Sequence, residues 1–141
     1  MPTIYVAASK TLQEWGSDIG ISKHIYKVGL TDDAKADMAK AMNEGSALGQ
    51  TDWKIIAKRD VPEGPEVNNE DDILARLALR LKMIDPTYYP KLKGTRSVFK
   101  VNPFDVESHL VIKQAMAGEQ PKVTKLKPAD IGNYLIENAL K

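Results

Sequence analysis

Between Arg76 and Lys100 the chain places seven basic side chains, Arg76, Arg80, Lys82, Lys91, Lys93, Arg96 and Lys100, against the single acid Asp85, with Tyr88, Tyr89 and Phe99 interleaved. Cations neutralise phosphates and release condensed counterions, and exposed rings stack on unpaired bases, so this combination points to a single-stranded or distorted nucleic acid. The same charges also fit the solvated side of an amphipathic helix, with Tyr88 and Tyr89 packing a turn. Other chemistries are removed by composition. There is no Cys, which excludes thiolate metal sites, Cys nucleophiles and disulfides. The two His, His24 and His109, stand 85 positions apart, so an HExxH helix or a His-rich metal site is excluded as well. Carboxylates are the metal ligands that remain.

These groups need a scaffold, and 141 residues suffice for one core that buries roughly two-thirds of the unfolded surface. Hydrophobic residues at 43% and charged residues at 28% match ordinary globular chains. No apolar run approaches the roughly 18 residues of a membrane span, and Met1-Pro2-Thr3 lacks the basic-then-apolar layout of a signal peptide. A cytoplasmic location without membrane contact is the expectation. The net charge of +1 conceals an asymmetry, −3 over residues 1–70 and +4 over residues 71–141.

Strands are predicted at Thr3–Ala8 and His24–Leu30, both β-branched or alternating, then at Asp52–Asp60 and Ser97–Val101. Alternation puts Tyr26, Val28 and Leu30 on one face of the second strand and Ile25, Lys27 and Gly29 on the other. Gly16, Ser17 and Gly20 make Ser9–Ser22 read as a loop with one helical turn near Leu12–Trp15. Helices are predicted from Asp32 to about Asn43, capped by Thr31, and from Glu70 to Ile84, where Ile73, Leu74, Leu77, Leu81 and Ile84 recur at helical spacing. Two more follow, one from Asn102-Pro103 to Gly118 and one over Asp130–Leu140. The order β-loop-β-α-β-α-β-α-α predicts an α+β fold, a small and mostly antiparallel sheet flanked by helices. Residues 1–118 form the expected domain, and residues 119–141 a linker with a C-terminal helix.

A Tyr in the first strand, Tyr5, and the run Tyr26-Lys27-Val28-Gly29-Leu30-Thr31 leading into a helix resemble the GIY-YIG endonuclease superfamily. The likeness is to its phage and bacterial branch, whose second motif reads Y-K-[IV]-G-x-T. Gly94-Thr95-Arg96-Ser97-Val98-Phe99-Lys100-Val101 is similar to that branch's closing G-x-x-W-F-x-V strand. The resemblance covers about the first hundred residues. It implies a GIY-YIG-like fold and divalent-metal-assisted cleavage of phosphodiester bonds, with Mg²⁺ or Mn²⁺ held by a glutamate, a phosphate steadied by an arginine, and a tyrosine helping to deprotonate water. A dianionic transition state needs such a cation and such a base. The implied catalytic residues are Tyr5, Tyr26 and Lys27. Lys27 stands where the Tyr of YIG would be, and either serves as a base with a lowered pKa or stays charged and clamps a phosphate.

The chain departs from that pattern where the chemistry is done. Asp37 or Met38 occupies the place of the expected arginine, and Ile73–Leu81 offers Ala, Leu and Arg where the glutamate belongs. Glu70, Asp71 and Asp72 lie one turn too early and suit the positive end of a helix. The leading expectation is a nucleic-acid-associated module, for DNA or RNA, that keeps the fold while its nuclease chemistry is lost or weakened. It would bind through Arg76, Arg80, Lys91, Lys93, Arg96 and Lys100. The alternatives are an active metal-dependent endonuclease with a displaced carboxylate, and a protein-interaction domain that docks a partner or a second copy through the helix over 130–140.

Overall fold

Alternation along the strands divides the apolar residues between two faces of one sheet, and helices cover both. The computed structural model describes residues 3–31, 37–61, 70–92, 96–120 and 126–140. The strands are β1 (Thr3–Ser9), β2 (Ile25–Thr31), β3 (Trp53–Asp60), β4 (Lys82–Met83) and β5 (Val98–Lys100). They lie in the order β3-β1-β2-β5-β4, each pair of neighbours antiparallel. The helices are α1 (Lys10–Asp18), α2 (Met38–Glu44), α3 (Glu70–Ala78), α4 (Pro103–Met116) and α5 (Pro128–Leu140). The fold is α+β, as the sequence predicts. Among the described residues no helix is long and apolar enough to cross a membrane.

Ile4, Val6, Tyr26, Val28 and Phe99 face α3, α4 and α5, where Leu77, Val106, Leu135 and Ile136 complete one buried cluster. Tyr5, Ala7, Ile25 and Val98 face the opposite way, toward Leu12 of α1, Met42 of α2, and Trp53, Ile84 and Leu92. The apolar stripe of α5, Ile131, Leu135, Ile136 and Ala139, which the docking alternative assigns to a partner, is consumed against the sheet. Gly132 is what allows the approach. A Cβ there would lie 2.6 Å from the Ala57 Cβ and 3.1 Å from Ile56 Cγ1. Ile56 is also the extra residue of the β1–β3 bulge, since Val6 pairs with Ala57 and Ala7 with Ile55, and a bulge bends its strand locally. On the outside of α4, Phe104, Val111, Ile112 and Met116 are exposed.

Four sequence expectations are corrected. The segment read as a loop is the nine-residue α1. Gly16 sits on its buried side because a Cβ would meet Ser22 O at 2.5 Å and Ile25 Cδ1 at 2.8 Å, so this glycine marks close packing rather than a break. Second, Thr31 is the last residue of β2, opposite Thr3, and the described helix α2 begins only at Met38. Asp37 is the cap, its Oδ1 accepting from Lys40 N at 3.0 Å; the predicted start at 32–36 lies outside the described residues. Third, the helix expected to reach Ile84 stops at Ala78. Leu81 N turns back to Leu77 O at 2.8 Å and Ile84 N bonds Val98 O at 2.9 Å. Fourth, the released residues Lys82 and Met83 form β4, a strand the sequence does not announce.

The start of α1 is fixed by side chains. Ser9 Oγ accepts from Leu12 N at 3.1 Å, and the Asp52 carboxylate accepts from Ser9 Oγ, Thr11 N and Thr11 Oγ1 at 2.5, 2.9 and 2.8 Å. Desolvation opposes the Asp52 charge, but the hydrogen bonds from Ser9 and Thr11 outweigh it and hold the carboxyl below its usual range. A carboxylate at a helix N-terminus is stabilising. Asp52→Ala is expected to cost about 1–2 kcal/mol in urea denaturation at neutral pH. Because the folded pKa is the lower one, the stabilisation is complete above the unfolded carboxylate pKa and disappears as pH falls through the folded value. The wild-type and variant stabilities should therefore converge in acid, and a difference that persists there contradicts this role.

Candidate functional site

β1 and β2 place Tyr5 and Lys27 on the same face. Tyr5 pairs with Gly29 and Ala7 with Lys27, so the phenol and the ammonium are diagonal neighbours, with Lys27 Nζ 5.7 Å from the centre of the Tyr5 ring. A cation at that distance is attracted to the ring face. Tyr5 lies down across Gly29. A Cβ on residue 29 would come within 2.5 Å of Tyr5 Oη and 2.7 Å of Cζ, so the glycine clears the space the phenol occupies.

A third group joins them that sequence reasoning assigned only to a helix start. Glu70, the first residue of α3, accepts from Leu30 N through Oε2 at 3.3 Å, and its charge acts on both Tyr5 and Lys27. Burial first, and then Glu70, raises the Tyr5 pKa, so the phenol is protonated at neutral pH. Burial lowers the Lys27 pKa and Glu70 partly restores it. No local pattern in the sequence signals this, because Glu70 meets the end of β2 across a separation of 40 residues. Tyr26 does not belong to this group. It points to the opposite face beside Phe99, its cross-strand partner, and burial raises its pKa.

Tyr5 is only 6% exposed, which limits what it can touch. The arrangement supplies one buried phenol as a donor, one ammonium for an anion, and one carboxylate. The residues described here do not suit a divalent ion: no group of three or more His, Asp or Glu side chains converges among them, and the Lys27 ammonium, within reach of the Glu70 charge, would oppose a second cation.

The basic segment is dispersed by the fold. Arg80 donates to Asn138 O at 3.2 Å and Arg76 O at 3.5 Å, which ties it to α5, and Arg76 lies on α3 behind the sheet. Lys91 is half-buried in the short turn Pro90–Leu92, and Lys93 lies outside the described residues. Arg96 is exposed, and its charge acts on Asp85. Lys100 gains a partner that the candidate residues omitted. Lys82 stands directly opposite it in the β4–β5 pair, on the face that carries Ile25. Tyr88, 76% exposed, and Tyr89 border the same cleft as the two lysines.

The nucleic-acid candidates therefore divide, with Lys100 and Arg96 near one sheet edge and Arg76 and Arg80 on the helical layer. Comparison of this chain with family models, curated proteins and solved structures returns no match.

Proposed function

We propose that this chain is a nucleic-acid-binding module on a GIY-YIG-like sheet whose nuclease chemistry is lost or severely weakened. The observation that carries the binding half is the edge at β4 and β5, where Lys82 and Lys100 face each other beside the exposed ring of Tyr88. Like charges directly opposite on neighbouring strands destabilise a sheet, and an anion between them removes that cost. The weakened chemistry follows from Tyr5, a buried phenol held protonated, and from Asp37, which caps α2 where an arginine would be needed.

A labelled single-stranded oligonucleotide should bind at low ionic strength, with log K falling as log salt rises by about 0.7 per neutralised phosphate. Reversing Lys82 and Lys100 to Glu should flatten that slope by about 1.4 if each meets one phosphate. No binding at low salt, or a slope indifferent to the reversal, overturns the proposal.

The competing reading, an endonuclease dependent on Mg²⁺ or Mn²⁺, draws on Glu70, a displaced carboxylate whose charge acts on Tyr5 and Lys27. Cleavage by a nuclease-free preparation with either ion, abolished by Tyr5→Phe and by Glu70→Gln, would establish it in place of ours.

A further inference from the structure

The cleft beside Lys82 and Lys100 has a volume of about 390 Å³, within the range of small-molecule sites. Its chemistry is unequal around the rim. The two ammonium groups come from adjacent strands, and neither is ion-paired with a described residue. The acid on the rim, Asp85, is already engaged: its Oδ1 accepts from Thr87 N at 2.8 Å, and Arg96 is close enough to lower its pKa further. Those bonds keep Asp85 ionised, so its carboxylate offsets part of the positive charge at the rim, but it forms no ion pair with Lys82 or Lys100.

The turn that follows α1, Ile19 to Ile21, also lines the cleft. Its backbone is satisfied locally, with Ile19 N on Trp15 O at 3.1 Å and Ile21 N on Gly16 O at 2.9 Å. What it offers is the apolar surface of Ile21. Tyr89 is held edge-on by Trp15, with ring centres 5.9 Å apart and planes at 88°. Tyr88, next to it, is the free ring.

We infer that this cleft binds one nucleotide unit, with its phosphate between the ammonium groups of Lys82 and Lys100 and its base against Tyr88. Paired ammonium groups suit a compact anion of high charge, and an aromatic face suits a base of any identity. A phosphate alone would leave the ring and Ile21 unused, and an apolar ligand would leave both lysines unpaired. A free nucleotide and the end or an extruded unit of a single strand share this chemistry. The inference rests on the proposed binding of nucleic acid for its second source only.

The test is titration of the full chain with a nucleoside monophosphate, the matching nucleoside, inorganic phosphate and a labelled single-stranded oligonucleotide. The monophosphate should bind at least about tenfold more tightly than nucleoside or phosphate, and Lys82→Ala, Lys100→Ala and Tyr88→Ala should each weaken it about tenfold. Thermal unfolding of the three variants should match the wild type, since removing a like-charge pair or an exposed ring costs the fold little. Monophosphate binding without oligonucleotide binding supports the cleft with a free nucleotide as its ligand and overturns the function proposed above. Oligonucleotide binding that Tyr88→Ala and Lys100→Ala leave unchanged, with no monophosphate binding, overturns the cleft and moves nucleic-acid binding to another surface of the chain.

Discussion

Leu135→Ala is expected to destabilise the chain by about 2–5 kcal/mol, the cost of emptying a fully buried leucine site. Leu135 has no exposed surface and lies in the cluster that contains Ile4 and Val6 of β1. The effect should appear as a lower urea midpoint with an unchanged slope. Deletion of residues 121–141 should go further and leave no cooperative transition, because Leu135, Ile136 and Ala139 all leave the core together. A deletion variant with native circular dichroism and a sharp transition would show that α5 is an accessory to the sheet. The result bears on function, because loss of a partner on deleting this helix would report unfolding rather than a docking surface.

Gly29→Ala is expected to cost about 1–3 kcal/mol, the range for forcing an atom into a filled site. The added Cβ would lie 2.5 Å from Tyr5 Oη and 2.7 Å from Cζ. Tyr5→Phe should not rescue it, because Cζ remains in place. Tyr5→Ala should, and in that background Gly29→Ala is expected to be neutral or stabilising by up to about 1 kcal/mol, as alanine restricts the unfolded chain more than glycine does. A double-mutant cycle measures this coupling. Equal costs in the wild-type and Tyr5→Ala backgrounds would mean that the phenol does not lie across Gly29. With Tyr5 unseated, Lys27 also loses the ring beneath its ammonium, so Lys27 should titrate differently in Gly29→Ala.

The sequence shows most clearly those parts of the fold in which each residue answers to its neighbours in the chain. The run from Asp52 to Asp60 reads as a strand and Trp53–Asp60 is one; Asn102-Pro103 caps and opens α4 with Asn102 Oδ1 accepting from Phe104 N. Tyr5 and Lys27 share a face because strand period alone dictates it, and the same rule sends Tyr26 to the other side. Where a distant segment decides, the pattern misleads. Gly16 reads as a breaker until Ile25 is placed against it. Leu81 and Ile84 continue a helical stripe, yet pairing of Lys82 and Met83 with β5 draws them out of the helix. Glu70 looks like a helix-start charge and is one; only the packing of α3 against the end of β2 lets its carboxylate accept from Leu30 N and its charge act on Tyr5 and Lys27. The basic segment divides in space for the same reason. Proximity in sequence gathers Arg80 and Lys100, but Arg80 is committed to the α5 backbone at Asn138.

Placing β1 in the interior of the sheet imposes an order on biosynthesis. Its two neighbours arrive within the first 60 residues, but the layer that shields Ile4 and Val6 includes α5, which begins at Pro128. Counted from the end of β1 at Ser9, a ribosome must therefore synthesise more than a hundred residues before α5 can complete the cover that α3 and α4 begin. Nascent chains of this protein should recruit holdase chaperones until the final turn of α5 has cleared the exit tunnel.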